Sequence, residues 1–524
     1  MSYLLHDVFT KSVKLFPENI AIASEQKEEI TYSRLNALSN QFAHLFQKCK
    51  KNIQETPYIG ILSSVHNLSI ASVLGALKIG CAYVPLDEFS PVERLRYIIE
   101  NTKLDLIVVD GVLYENFREL FQHPHIKFVI VLNQVDRSVC DKTILYDTVL
   151  EQKQTEISYK AQVSDNLAYI LHSSGSTGVP KGIMLTHRNA RTFVDWMHKE
   201  FVVSAHDIIM SRAPFKFDLS IFDIFNTFKA GAKLVCFDWT VRRKEPHKDY
   251  VDLMKEKKAT ILYTTPSTFI SLMNRGGLKE AKVGLRTIMY AGEPFPVPQL
   301  RKLKQCLPST RIANIYGPSE TNIITYYWID RLPDDDTSIP LGVEVDDTEI
   351  VVVKEDGKTL CGYNEVGELW CRGGTVTLGY LGLEEKTKEC LVQSPFHQYP
   401  AYFWRTGDFG YRDREGRLHY RGRRDHMVKV KGYRIEIGEV ESALSQHNFL
   451  DEFVIVAVPD EKYSNRLYCH YTTLKENIDA KELEGFLKKK LPSYMVPYKF
   501  IKHQTLPKTS SGKVDRVLLA QEAL

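Results

Sequence analysis

The sequence predicts an α/β fold: a large N-terminal domain of two packed α/β subdomains plus a β-rich subdomain over 1–424, and a small α+β C-terminal domain over 425–524. Three observations predict it. First, apolar runs of strand length, PYIGILSS (57–64), LDLIVVD (104–110) and FVIVLN (128–133), alternate with amphipathic stretches of helical period. Unbroken Val, Ile and Leu requires burial on both faces, which a parallel sheet covered by helices provides. Second, equivalent runs recur at ATILYTT (259–265) and LRTIMYAG (285–292), so a second sheet-and-helix unit is expected. Third, from about residue 345 the segments shorten and alternate, with turn residues in EDGK (355–358) and DREG (413–416), which predicts antiparallel hairpins. After GRRD (422–425) a smaller unit begins. It ends in LPSYMVPYKFIKHQTLPKTSSGKVDR (491–516), whose Pro, Ser and Lys read as extended segments and an exposed loop.

Bulk properties bound the function. A chain of 524 residues exceeds one compact core, and 44% hydrophobic with 25% charged residues is the composition of a folded protein. Lys plus Arg (68) nearly balance Asp plus Glu (65), so the net charge of +3 gives no global field for nucleic acid, and phosphate binding would have to be local. No apolar run approaches the roughly 20 residues of a membrane span. The opening MSYLLHDVFTKSVKLF mixes charged and apolar residues instead of forming a signal peptide, so a cytoplasmic protein without membrane contact is expected. The nine cysteines are scattered without a C-x-x-C pair and read as reduced, mostly buried thiols.

The most informative stretch is YILHSSGSTGVPKGIMLTHRN (169–189), where an apolar strand runs into a loop of Gly, Ser and Thr with one Lys. Backbone N–H groups of such a loop can wrap phosphate oxygens, because glycine permits close approach. The spacing of Gly175, Gly178 and Lys181 does not fit G-x-x-x-x-G-K-[ST], which disfavours a P-loop kinase or ATPase.

Further landmarks follow in order: ITYSRL (30–35), KIGCAYVPLD (78–87), FDLSIFDIF (217–225), NIYGPSE (314–320), GELWCRGG (367–374), WRTGDFG (404–410), GRRDHMVKVKGYRIE (422–436), LPSYMVP (491–497) and SSGKVDR (510–516). With the loop, this series resembles the superfamily of adenylate-forming enzymes, which includes acyl-CoA ligases, luciferases and the adenylation domains of nonribosomal peptide synthetases. The likeness spans nearly the whole chain and implies ATP and magnesium as cofactors.

On that resemblance Ser173, Ser174, Gly175, Ser176, Thr177, Gly178 and Lys181 hold the phosphates, Thr177 also serving catalysis, while Asn314, Tyr316, Asp408, Tyr420 and Arg423 contact the nucleoside. Tyr316 offers an aromatic face to adenine, and Glu320 a hard carboxylate oxygen for magnesium. Asp408 can accept from both ribose hydroxyls. Taken alone, NIYGPSE and the Asp after Gly407 read as ordinary turns, and the arginines of GRRD as solvated charge. Lys513 would bridge the attacking carboxylate and the α-phosphate, where charge builds on oxygen; viewed bare, it is a solvated lysine in a Ser-Gly loop. Asp425 is implied to be the hinge about which a mobile C-terminal domain swaps Lys513 for Lys429 and Gly432, the face presented for thioester formation. The bare alternative is an interdomain strand.

Asp218 stands where amino-acid-activating members pair the substrate ammonium, although a helix-starting Asp is the alternative. The remaining pocket positions are Leu219, Phe222, Tyr263, Met289, Ala291, Ile315, Ile323 and Ile324, with Lys513 completing the site. Nearly every wall is apolar, and the bulk of Phe222, Tyr263 and Met289 predicts a compact apolar substrate. The set resembles that of stand-alone L-prolyl carrier-protein ligases, with a D-alanine or glycine carrier-protein ligase and an acyl-CoA ligase as runners-up. A catalytically silent nucleotide-binding regulator is the alternative outside the enzymes. Only VLLAQEAL follows SSGKVDR, so the phosphopantetheinylated acceptor is expected to be a separate protein acting in trans. His172 and Ser173 replace the Tyr and Thr of many relatives, and His172 reads as a satisfied structural histidine.

Overall fold

The computed structural model describes the chain except at 1–2, 26–28, 51–56, 134–139, 158–161, 174–179, 240, 242, 336, 424–426, 448–449, 461–462, 474–478, 509–513 and 524. Among the described residues the strands form five sheets, in a large N-terminal α/β region and a smaller C-terminal α+β region. A seven-stranded sheet runs, edge to edge, Thr143–Leu145, Phe128–Val131, Leu106–Val109, Tyr58–Leu62, Ala82–Pro85, Leu167–Ser173 and Lys181–Thr186. It is parallel except for the last pair, an antiparallel hairpin that brackets the Gly/Ser/Thr loop. A nine-stranded sheet centres on the parallel strands Lys233–Cys236, Ile208–Met210, Ile261–Thr264, Thr287–Tyr290 and Arg311–Tyr316. The expected apolar runs all lie in these parallel strands, as burial on both faces requires.

The two sheets share a core with the helices Tyr32–Cys49 and Asn67–Lys78 between them. Thr31 caps the first helix by accepting from the Arg34 N–H, and His66 with Ser69 forms a reciprocal cap on the second. These helices approach closely at Gly75, where a Cβ would meet Phe42 Cβ at 2.8 Å. The third, five-stranded sheet is wholly antiparallel, as the turn residues predict. At DREG the Asp413 carboxylate accepts from the N–H groups of Glu415 and Arg417, and Gly416 takes φ +83°, closing Tyr402–Arg412 onto Leu418–Arg423.

Beyond residue 426 the described strands pair only among themselves. Leu450–Asp460, Ser464–Thr473 and Lys499–Lys502 make a three-stranded sheet. The helices Ile437–Leu444 and Ala480–Lys488 pack on one face, and Leu519 of the terminal helix Arg516–Glu522 packs against Val454, Val456 and Val458 on the other. A separate hairpin, Met427–Val430 with Tyr433–Glu436, turns through Lys431 (φ +54°) and Gly432 (φ +84°), the two positive φ angles that a tight two-residue turn demands.

This hairpin and its neighbours dock against the N-terminal region. Arg94 pairs with Glu439 in a buried ion pair, Lys216 pairs with Asp87 at 2.5 Å among the rings of Phe217, Tyr433 and Tyr494, and the Gly432 N–H donates to Glu293. No described helix is long and apolar enough to cross a membrane. The cysteines are all free thiols, but only Cys81, Cys236, Cys371 and Cys469 are buried and the other five are partly exposed, which corrects the expectation of mostly buried thiols.

Candidate active site

A cavity of about 660 Å³ opens where the parallel strands of the nine-stranded sheet end and the C-terminal hairpin docks. Crevices at the carboxyl ends of parallel strands are the places where α/β sheets bind ligands, because loops diverge there. Residues directly after three strands line it: Thr265 after Ile261–Thr264, Ala291 and Gly292 after Thr287–Tyr290, and Gly317 after Arg311–Tyr316. Gly292 adopts φ +91°, and a Cβ on Gly317 would meet the Asn322 carbonyl at 2.1 Å, so both turns require glycine.

At the apolar end, Asp218, Leu219, Tyr263, Ala291, Ile315 and Ile323 line the cavity. Phe222, Met289 and Ile324 do not; they are fully buried, Phe222 edge-on to Tyr263 at 5.6 Å between centroids and Met289 in register with Tyr263. The bulk of Phe222 and Met289 acts through Tyr263. Asp218 begins the short helix Leu219–Ile221 yet makes no side-chain cap hydrogen bond, so capping does not account for it. Desolvation pushes its carboxyl up to about 6, against the pull of Lys429 and hydrogen bonds from Ser319 and the Leu219 N–H, while Glu320 adds to the rise. A half-buried acid poised this way would be relieved by a cationic ligand. The walls beyond this cup are not apolar as expected: Glu88, Arg212, Glu293 and Lys429 also line the cavity.

Asn314, Tyr316, Asp408, Tyr420 and Arg423 line the cavity together. Asp408 accepts from the Tyr316 hydroxyl at 2.6 Å through one oxygen and from Arg423 Nη1 at 2.9 Å through the other. Each carboxylate oxygen has two lone pairs, so both retain an acceptor site for further hydroxyls. Arg423 also donates to the Thr406 carbonyl and its side chain is 8% exposed, so it is a buried structural cation and not the solvated charge that GRRD suggests on its own. Asn314 donates to the Pro340 carbonyl at 2.7 Å.

Ser174, Gly175, Ser176, Thr177, Gly178, Asp425 and Lys513 lie outside the described residues. Ser173 and Lys181 face each other in register at the mouth of the loop. Lys181 is buried, its ammonium 5.6 Å from the Tyr380 ring and its pKa lowered by that burial. Lys508 and Val514, which bracket Lys513, bridge each other, and neither lines the cavity. His172 departs from expectation. Both ring nitrogens are buried without a partner among the described residues, and burial with the nearby Arg94 lowers its pKa to about 3.

Glu320 is 1% exposed and accepts from the Tyr380 hydroxyl at 2.7 Å and from Arg434 Nη1 at 2.8 and 3.1 Å. Burial alone would raise its pKa, but Arg434 and the Tyr380 hydroxyl hold it below the usual carboxylate range. An ionised, hard oxygen donor suits magnesium, which typically takes one or two carboxylates with phosphate oxygens. Arg434, Tyr380 and Glu293 were missed in the sequence, although Arg434 stands inside GYRIE. Glu293 accepts from the N–H groups of Ser267 at 3.0 Å and Gly432 at 2.5 Å, and burial raises its pKa. A buried acid with a distant partner has no local sequence pattern.

Comparison with known proteins fits this geometry. Residues 9–381 match the AMP-binding enzyme family and residues 439–513 its C-terminal domain. An L-proline--[L-prolyl-carrier protein] ligase of Pseudomonas fluorescens is 30% identical over 99% of this chain and 99% of its own length. Bacitracin synthase 1 of Bacillus licheniformis is 31% identical over 99% of this chain, which spans only 9% of that protein. The fold matches the adenylation domain AlmE of Vibrio cholerae, solved with glycyl-adenosine-5'-phosphate, with a TM-score of 0.86 at 21% identity, covering 100% of this chain and 98% of that one.

Proposed function

Because the chain belongs to the AMP-binding enzyme family, we propose that it activates a small apolar amino acid, L-proline first, as the aminoacyl adenylate and transfers it to the thiol of a separate phosphopantetheinylated carrier protein. The observation that carries this reading is Asp218, a half-buried acid without a side-chain cap hydrogen bond, in one cavity with the apolar Leu219, Tyr263 and Ile323 and with Asp408, Tyr316 and Asn314. An α-ammonium bound there satisfies a charge that is otherwise costly to bury.

The chemistry follows from these positions. The Asp218 carboxylate holds the ammonium and so orients the substrate carboxylate toward the nucleotide. One substrate oxygen attacks the α-phosphorus, the bond to the α–β bridging oxygen breaks, and pyrophosphate leaves. Asp408 fixes the ribose hydroxyls with its remaining lone pairs. Glu320 would hold magnesium, which supplies charge neutralisation at the phosphates. Lys513 is the proposed cation at the developing charge. In the second half-reaction the carrier thiol attacks the acyl carbon and AMP departs, with Lys429 and Gly432 presented after rotation about Asp425.

Proline is favoured because Leu219, Tyr263, Ala291, Ile315 and Ile323 form a short cup backed by Phe222 and Met289. Each buried methylene contributes only about 0.8 kcal/mol, so alanine is the nearest competitor. A secondary ammonium also donates one hydrogen bond fewer, and a site with few acceptors penalises a primary amine. The full-length relative named as a proline ligase supports the same choice. An amino-acid panel in ATP–pyrophosphate exchange tests it: L-proline is expected to give the highest kcat/KM. D-alanine or glycine clearly exceeding it would replace proline with that substrate.

A further inference from the structure

Arg434 and a divalent cation have use for the same carboxylate. Glu320 is buried, and the Arg434 guanidinium reaches both its oxygens from the docked hairpin, at 2.8 and 3.1 Å from one nitrogen. Tyr380 occupies a further lone pair of Oε1 at 2.7 Å. The Arg434 side chain is only 18% exposed, and it also lies 3.8 Å from Glu436. A cation bound to Glu320 would stand against a guanidinium a few ångströms away in a site sheltered from solvent, where like charges repel strongly.

We propose that Arg434 is a positioning residue that latches the hairpin onto Glu320, so that hairpin docking and divalent-cation binding at Glu320 exclude each other. With the cation present, Glu320 is neutralised and the hairpin has no partner there. Once the cation has left with the phosphates, the bare buried carboxylate recruits Arg434, and Gly432 and Lys429 arrive with it on the same four-residue strands and turn. The latch is thermodynamically reciprocal: whatever Arg434 contributes to docking weakens cation binding by the same factor. This rests on the reading of Glu320 as the cation ligand.

Mn²⁺ binding in the presence of a non-hydrolysable ATP analogue, followed by electron paramagnetic resonance, tests the exclusion without turnover. The cation affinity of a protein that is mostly docked is reduced by its undocked fraction. Arg434→Ala is therefore expected to tighten Mn²⁺ binding, roughly 5- to 150-fold for a coupling of ordinary size, and Arg434→Lys, which keeps the charge but loses the planar fork, by less. Glu320→Gln should lose the Mn²⁺ signal. A fluorophore pair across the two regions should report undocking as Mn²⁺ is added to the wild type and little change in Arg434→Ala. Equal Mn²⁺ affinity in wild type and Arg434→Ala, a docking signal unmoved by Mn²⁺, or no Mn²⁺ held through Glu320 would each overturn the latch. Amino-acid-dependent pyrophosphate exchange by the wild type is measured beside these. Exchange with equal affinities sinks the latch alone, whereas absent exchange with unequal affinities sinks the proposed activity and leaves the latch standing.

Discussion

Replacing Asp218 by Asn keeps the volume and shape of the side chain and removes its charge, so the variant isolates the electrostatic role assigned to it. In the wild type the carboxyl is held up at about 6, mainly by burial. The free protein therefore carries an increasing fraction of neutral acid below pH 6, and only the ionised form pairs with an ammonium. kcat/KM for the amino acid, which reports the free enzyme, should fall as pH drops through about 6. In the complex the bound ammonium favours the carboxylate, so the corresponding fall in kcat should lie at lower pH. For Asp218→Asn the charge-assisted hydrogen bond is lost, about 1.5–3 kcal/mol, which is roughly ten- to a hundredfold in kcat/KM at neutral pH. Its acidic limb near pH 6 should disappear. Initial rates of pyrophosphate exchange across pH 5–8 supply both readouts. An acidic limb of unchanged position in Asp218→Asn, or a loss under threefold at neutral pH, would refute the pairing.

Three further outcomes are expected. Lys513→Ala should lose adenylate formation by orders of magnitude while still transferring a preformed aminoacyl adenylate to carrier, and unaltered pyrophosphate exchange would reject the assignment. Gly432→Ala places a Cβ at 2.9 Å from Thr265 Cγ2 at φ +84°. A left-handed alanine costs about 1–2 kcal/mol, so the docked hairpin, and carrier loading with it, should weaken roughly 5- to 30-fold while exchange persists; equal loss of both half-reactions would count against the hairpin's role. Asp223 accepts from the backbone N–H groups of Arg212 and Ala213, but burial still pushes its carboxyl up to about 8. A group raised in the folded state binds more protons there than in the unfolded chain, so its contribution to stability falls as pH rises from about 4 to 8. Asp223→Asn should remove about one proton, or about 1.4 kcal/mol per pH unit, from that slope in denaturant titrations; an unchanged slope would contradict it.

The parallel strands were legible because burial on both faces leaves an unbroken apolar run, and the antiparallel sheet because Asp413 and Gly416 carry their turn in their own chemistry. The family resemblance, not local pattern, located most of the cavity: Asp218, Tyr263, Ala291, Ile315, Tyr316 and Asp408 all line it. It did not distinguish depth. Phe222, Met289 and Ile324 are apolar in the same way as Tyr263 and Ile323, yet sit one layer behind them. What escaped the sequence altogether depends on pairing across long separations. Glu320 meets Arg434 and Tyr380, Glu293 meets Gly432, and Arg94 meets Glu439, each more than fifty residues apart. His172 escaped for the opposite reason, since composition cannot show that a buried imidazole finds no partner among the described residues.

These pairings share one electrostatic logic. Asp218, Glu293 and Asp408 line a single cavity and the buried Glu320 follows the lining Ser319 in the chain, an arrangement of four carboxyl groups that is costly unless each finds a proton, a donor or a cation. Asp408 has Arg423 and Tyr316 on its own sheet or the one beside it, and is satisfied without help. The other three draw on the C-terminal hairpin. Arg434 pairs with Glu320, the Gly432 N–H donates to Glu293, and Lys429 lowers the pKa of Asp218 from within the cavity wall. Lys429 itself has its pKa lowered by burial, so it too is held at a cost that these acids offset. The hairpin thus brings positive charge and donors to acids that, under the proposed activity, an ammonium and a divalent cation would otherwise neutralise. Loading the divalent cation removes what holds the hairpin to Glu320 and its departure restores it, whereas the ammonium stays at Asp218 through both half-reactions. On this account the order of the two half-reactions is set by charge balance at Glu320, and Glu320→Gln should loosen the docked hairpin even where no ligand is bound.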